Sequence, residues 1–215
     1  MNHNLIFKIF KEIEISINNE KEIIEKLDQE IGDGDHIFNL QRGLKECLVA
    51  ENELKNCDIS EIFKKLGLKI MTNVGGSSGA LYSTLLLNMS KNFEPRLDDK
   101  SNLIEMFHAG VVAMKKIGKS DLGEKTMLDV LIPVSIILKD NIHYDSSKLS
   151  KLSKEAAHKG MLATKDLVAT KGRASYLGER SKGHIDPGAK SSQVAIYAIC
   201  DFILNYNKEK IWKNL

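Results

Sequence analysis

The residues best suited to do chemistry in this chain are three aspartates in one short stretch, Leu27-Asp28-Gln29-Glu30-Ile31-Gly32-Asp33-Gly34-Asp35-His36. A hard divalent cation takes carboxylate oxygens, and magnesium in particular takes one or two carboxylates together with phosphate oxygens and water. Asp33 and Asp35 flank Gly34, which lets the backbone turn and aim both carboxylates at one point. Asp28 sits near a helix end and closes the cluster. Three carboxylates in one place repel one another unless a cation neutralises them, so the expected occupant is a metal ion. The competing reading is a helix C-cap and turn built from Gly and Asp. An EF-hand is excluded, because counting from Asp33 puts Ile37 and Leu44 at side-chain ligand positions five and twelve.

Three further stretches carry suggestive chemistry. Gly75-Gly76-Ser77-Ser78-Gly79 precedes a helix, whose N-terminus offers free backbone N–H groups and a positive dipole end to phosphate. No Gly-Lys-Ser/Thr follows, so it is not a P-loop. A plain Gly-Ser linker is the alternative. The loop from Gly118 ends in Lys125-Thr126-Met127, where Lys125 suits a phosphate and Met127 an adenine face. A Thr-capped helix beside an exposed Lys explains the same residues. The stretch from Gly172 to Gly188 is long for a loop and holds Arg173 and Arg180, whose planar forks suit phosphate. Asp186-Pro187-Gly188 reads as a turn before the last helix.

The elements that must position these residues are helical almost throughout. Leu5, Ile6, Ile9, Ile13 and Ile17 recur at helical spacing, as do Phe63, Leu66, Leu68 and Ile70 more loosely. Alternating strand patterns are lacking, so a sheet is not expected. Start and stop signals give about eight segments: 3–27 with a bend at Asn18-Asn19, 38–53, 59–73, 80–92, 101–117, 126–138, 147–170 and 191–208. Asn19 with Glu22, Ser60 and Ser101 are the expected caps. In an up-and-down antiparallel bundle alternate loops lie at one end. The connections after the first, third, fifth and seventh segments are the four unusual ones. They are therefore expected to form one composite site at the mouth of an all-α, eight-helix antiparallel barrel or bundle.

Composition narrows the class. The 215 residues suit one domain, 1–215, with 42% hydrophobic and 28% charged residues, as in soluble globular chains. A net charge of +2 makes no case for nucleic-acid binding. The longest apolar run, Val130 to Leu138, is too short to span a bilayer and contains Pro133. No signal-peptide pattern opens the chain. Cys47, Cys57 and Cys200 match no zinc spacing and read as free thiols in a reducing cytoplasm.

Taken together, these blocks resemble the nucleotide-binding L subunits of the phosphotransferase-system-dependent dihydroxyacetone kinases. The resemblance rests on the aspartate stretch, on Gly75 to Gly79, on Gly123-Glu124-Lys125-Thr126-Met127-Leu128-Asp129-Val130, and on Gly172 through Ala189. The blocks run in the family's order. The resemblance implies an eight-helix antiparallel barrel with ADP or ATP in a shallow site at one end. It implies two magnesium ions on Asp28, Asp33 and Asp35. It places His36, Ile37, Phe38, Asn39, Ser77, Ser78, Gly118, Met127, Arg173, Asp186, Pro187 and Gly188 at the nucleotide. Phosphoryl transfer would then run to dihydroxyacetone on a separate K subunit, with ADP recharged in place by a phosphohistidine-carrying M subunit. No general base is needed from this chain, because positioning and charge neutralisation suffice for a loose phosphoryl-transfer transition state. A homodimer is left open.

One position departs from the family pattern. Asp35-His36 is followed by Ile37 where the pattern has Gly, which allows positive φ or close backbone approach. Ile resists positive φ and adds bulk. This favours as alternatives a nucleotide-sensing paralogue without turnover, or an ATP-dependent kinase subunit for another small sugar or polyol. Phe38 reads as a core residue, with stacking near the base as the other option.

Overall fold

The computed structural model describes residues 3–213, and among them there is no strand. Ten α-helices follow in order: α1 (His3–Asn19), α2 (Lys21–Ile31), α3 (His36–Val49), α4 (Glu51–Leu54), α5 (Ile59–Asn73), α6 (Gly76–Lys91), α7 (Asp99–Gly118), α8 (Leu128–Asp140), α9 (Ser146–Ala163) and α10 (Pro187–Lys213). Short 3-10 turns cover Thr164–Asp166 and Arg173–Ser181. The chain is thus all-α, and the bend expected at Asn18-Asn19 is the break between α1 and α2.

Local signals set most of the boundaries. Asp58, Asp98 and Asp145 cap α5, α7 and α9, each accepting from backbone N–H groups of the first turn. Such caps satisfy donors that the helix itself leaves free. Asp58 and Asp98 take the roles expected of Ser60 and Ser101; the Ser60 hydroxyl instead donates to the Ser90 carbonyl at 2.9 Å. Asn19 and Glu22 form no capping box, because Glu20 occupies the N-cap without a side-chain bond. Two helices begin a full turn earlier than the sequence suggests: α6 at Gly76 rather than Ala80, and α10 at Pro187 rather than Ser191. Another ends earlier, α9 stopping at Ala163 rather than Thr170.

Packing runs in a circuit. α1 packs on α3, α3 on α5, and each later helix on the next, until α10 returns against α1. α2 leans across α10 and α3. The apolar faces meet inside: Ile6, Phe7, Ile62, Leu66 and Met106 in one cluster, and Val130, Val134, Ala157 and Ile196 in another. Leu68, grouped with this stripe by spacing, is 40% exposed. Cys47 and Cys200 are buried free thiols and Cys57 is half-buried.

The approach of α9 to α8 also holds part of the site. A Cβ at Gly160 would stand 2.1 Å from the carbonyl oxygen of Asp129, at the start of α8. Asp129 accepts from the N–H groups of Gly123 (2.6 Å) and Thr126 (2.7 Å), which fastens the preceding loop. The contact is with backbone, so added bulk cannot be absorbed by a side-chain rotation. Gly160→Ala is expected to lower stability by about 1–3 kcal/mol despite alanine's better helix propensity, read as a lower urea midpoint.

Candidate nucleotide and metal site

Asp28, Asp33 and Asp35 each present a carboxylate oxygen, and these atoms lie within 4.8 Å of one another. Asp28 is buried in the last turn of α2, and the other two are exposed. Two glycines make the arrangement possible. A Cβ at Gly32 would fall 1.9 Å from Asp28 Oδ1, so only Gly leaves room for the carboxylate. Gly34 has φ +76, the left-handed region glycine adopts without cost, and it sets Asp33 and Asp35 on either side of the turn. Burial pushes the Asp28 carboxyl above the usual range, the His36 N–H pulls it back down, and the charges of Asp33 and Asp35 add to the upward push. Three hard oxygen donors, one of them buried and crowded by like charge, fit a divalent cation.

The cluster faces the starts of two helices. The N–H of His36 donates to Asp28 Oδ2 at 2.9 Å, which anchors the first turn of α3. Ser77 and Ser78, expected in a loop, stand in the first turn of α6 behind the N-cap Gly75. Ser77 is exposed and Ser78 half-buried. The His36 ring is buried and bridges Ser78 to α10: Nδ1 lies 3.3 Å from Ser78 Oγ, and Nε2 lies 2.9 Å from Ser191 Oγ. Burial holds this imidazole below its usual pKa, against the raising pull of Asp28, Asp35 and Asp33. A Cβ on Gly76 would be 3.6 Å from Asn39 Nδ2 and 3.9 Å from Asp35 Oδ2, so the Gly-rich turn touches the aspartate loop directly. Arg173 Nε pairs with Asp33 Oδ2 at 2.7 Å, which brings in the fourth stretch.

The remaining expected residues form a second group beside the first. Asp186 caps α10, its Oδ2 accepting from the Ala189 N–H at 2.7 Å, and Pro187 takes the first helical position, where its missing N–H costs nothing. A Cβ on Gly188 would meet Met127 Cβ at 3.4 Å and Asp186 Oδ2 at 3.0 Å. Met127 is buried with Val111, Met114, Leu128 and Leu131, so it belongs to the core and faces the site only at this edge. Gly118 is the last residue of α7 and packs by Leu81 of α6; the left-handed turn falls on Lys119, φ +46. Arg180 is exposed.

Three expectations are corrected. Lys125 is 1% exposed and meets no open phosphate site: with φ +61 it turns inward, and its Nζ donates to the carbonyls of Thr164 and His184. Phe38 is 50% exposed rather than core, with Lys21 Nζ 5.7 Å from its ring centroid. Ile37 is the core residue of the pair, fully buried against Ile17, Ile24, Leu44 and Val194. Its φ is not among the positive ones, so no glycine is needed there and its side chain adds no bulk to the site. Only its backbone N–H, in the first turn of α3, faces outward with the helix end. Sequence reasoning missed Asp129, Thr164 and Ser191. Asp129 sits in a quoted block, but its capping of the preceding loop shows only in three dimensions.

The fold and the site define a class first: an all-α domain that sets a carboxylate cluster against helix N-termini at one end. Residues 30–201 match the family model of the DAK2 domain. The chain is 43% identical over 183 residues to the "PEP-dependent dihydroxyacetone kinase 1, ADP-binding subunit DhaL" of Listeria innocua, covering 85% of this chain and 88% of that one. It is 45% identical over 176 residues to the "PTS-dependent dihydroxyacetone kinase, ADP-binding subunit DhaL" of Lactococcus lactis, covering 82% and 85%. Its fold is similar to that of the dihydroxyacetone kinase from C. freundii in complex with AMP-PNP and Mg2+, with a TM-score of 0.74 at 22% identity. That match covers 92% of this chain and 34% of the longer one. The chain belongs to the DAK2-domain family.

Two consequences can be measured. Asp186 is pushed up to about 7, first by burial and further by the charges of Asp129 and Asp28, against the pull of the Ala189 N–H and Lys125. The ordinary carboxyl value is 3.8, so folding takes up a proton between those two values and stability falls as pH rises across that window. Asp186→Asn keeps an oxygen for the cap but carries no charge. The variant is expected to gain thermal stability over the parent at pH 8 and to show little gain at pH 4. An equal difference at both pH values would remove the buried charge as the cause. For Ile37, replacement by Gly is expected to cost about 3 kcal/mol or more in urea unfolding, through the lost core packing, with no tightening of nucleotide binding.

Proposed function

We propose that this chain is the nucleotide-binding subunit of a dihydroxyacetone kinase, a phosphotransferase in which it holds ADP and ATP as a coenzyme. The observation that carries the reading is the meeting of three carboxylates with the first turns of α3 and α6. Near-full-length identity to two ADP-binding DhaL subunits supports it. In this reading Asp28, Asp33 and Asp35 would hold magnesium, two ions by the family resemblance, and the metal would supply charge neutralisation to the phosphates. The first-turn N–H groups of α3 and α6, with the hydroxyls of Ser77 and Ser78, grip the phosphates. Asn39 lies beside the Gly76 turn. Arg173 serves the outermost phosphate, and Met127 with Asp186, Pro187 and Gly188 forms the wall toward the base. Phe38 lies exposed at the rim, free to contact the nucleotide or a partner.

The division of labour follows from the chemistry. The reading needs no general base from this chain, which acts by placing the phosphoryl group and balancing its charge. Dihydroxyacetone would be held on a separate K subunit and the nucleotide recharged by a phosphohistidine-carrying M subunit, in the cytoplasm. Among the described residues no helix is long and apolar enough to cross a membrane. The nucleotide-sensing alternative drew its support from Ile37, and a core side chain with ordinary backbone gives it none.

Mass spectrometry of nucleotide released from the purified protein, prepared with and without EDTA, is the direct test. ADP should be retained with magnesium and lost with chelator. Asp33→Asn should abolish retention with helicity unchanged by circular dichroism. A folded parent protein that takes up no nucleotide when given ADP and magnesium would refute the function, and undiminished affinity in the variant would remove Asp33 from the metal site.

A further inference from the structure

We propose that Ser191 is a positioning residue for the nucleotide phosphates, acting through His36. The inference rests on the proposed function above. Ser191 is 1% exposed at the start of the second turn of α10, and its Oγ lies 3.0 Å from the Gly188 carbonyl oxygen and 2.9 Å from His36 Nε2. A serine hydroxyl has one proton. The carbonyl has none, so a hydroxyl that donates to Gly188 accepts from the ring and keeps a second lone pair for the Tyr82 hydroxyl. Nε2 therefore carries its hydrogen and points it at Ser191. The bond to Gly188 is one that any serine makes within a helix turn. The bond to a histidine 155 positions away in sequence is not.

The result is a ring held at both ends. The backbone of His36 is fixed on Asp28 Oδ2, and its ring is fixed on Ser191. With both constraints met, Nδ1 stands 3.3 Å from Ser78 Oγ, at the start of α6. One imidazole thus ties together the starts of α3, α6 and α10 and sets where the Ser78 hydroxyl sits beside the carboxylate cluster. Without the Ser191 oxygen, Nε2–H loses its acceptor in a closed environment, where an unmade hydrogen bond is costly. The ring must then turn or admit water, and Ser78 loses its register with the phosphate site.

The test uses 15N-labelled full-length chain as wild type, Ser191→Ala, Ser191→Thr and, as control, Ser192→Ala, whose hydroxyl bonds neither ring nitrogen of His36. The hydrogen-bonded Nε2–H resonance of His36 is read without nucleotide, and ADP affinity is read with magnesium. Ser191→Ala is expected to lose the resonance and bind ADP about tenfold more weakly. Ser191→Thr, which keeps the hydroxyl, should restore both, and Ser192→Ala should change neither. Wild-type affinity or a retained resonance in Ser191→Ala overturns the inference, as does equal weakening in Ser192→Ala or a folded threonine variant that restores nothing. A wild type that binds no ADP refutes the proposed function, whereas a wild type that binds ADP beside an unweakened Ser191→Ala overturns this inference alone.

Discussion

Everything at this end of the molecule is arranged around the burial of Asp28. A carboxylate withdrawn from water is costly, and two more carboxylates within 4.8 Å raise that cost. One compensation is local: the His36 N–H meets Asp28 Oδ2 at 2.9 Å, and it is the first N–H of a helix, so a partial positive charge stands behind it. The other is steric. Gly32 leaves the space into which Asp28 Oδ1 fits, and any side chain there would force the carboxylate away. These contacts fix the angle at which α2 hands over to α3. They decide which face of α3 turns inward, and so bring the His36 ring to Ser78 and Ser191.

The second half of the site is fixed by a different kind of charge. Lys125 is a buried cation without a direct carboxylate partner, held by the carbonyls of Thr164 and His184 and in the field of Asp186, Asp129 and Asp166. Burial pulls its pKa down, and those aspartates pull it up. Thr164, fully buried, accepts from the Asp186 N–H at 3.0 Å, while Asp186 caps α10. The loop before α8, the end of α9 and the start of α10 are thus laced through polar groups that water does not reach. Such networks specify geometry because each member left unmatched is expensive. The chain keeps a lysine there as a clamp, so the residue whose type suggested phosphate binding acts on backbone instead.

How much of this was legible in the sequence depends on what decides each position. The helical class and the aspartate cluster were legible, because periodicity and spacing are properties of a short stretch. The starts of α6 and α10 were read too late, since Gly and Pro look like loop although both are at home at a helix start. Ile37 and Phe38 were exchanged between core and surface. Neighbouring positions on a helix point about 100° apart, so a small shift in where α3 begins swaps which one faces inward. Lys125 could not be read correctly, because its inward turn needs a left-handed backbone that its residue type does not announce. Ser191 and Thr164 were invisible for another reason: their partners are far away in sequence and meet them only once the circuit of helices closes.

The ion pair between Arg173 and Asp33 links the aspartate loop to the long loop before α10. In this structure the guanidinium answers the carboxylate cluster at 2.7 Å on its exposed side, where the two side chains are 68% and 40% exposed. An exposed pair of this kind is weakly held and exchanges readily. Under the proposed function, a divalent cation held by the cluster would neutralise Asp33 more strongly than one guanidinium can, and Arg173 would be free to leave it. A planar fork freed at that place suits an anion, and a phosphate at the cluster would supply one. On that reading metal and phosphate would support each other's binding through one arginine. Only the exposed rim needs to move for this exchange. The buried frame of Asp28, His36 and Ser191 stays where the fold put it.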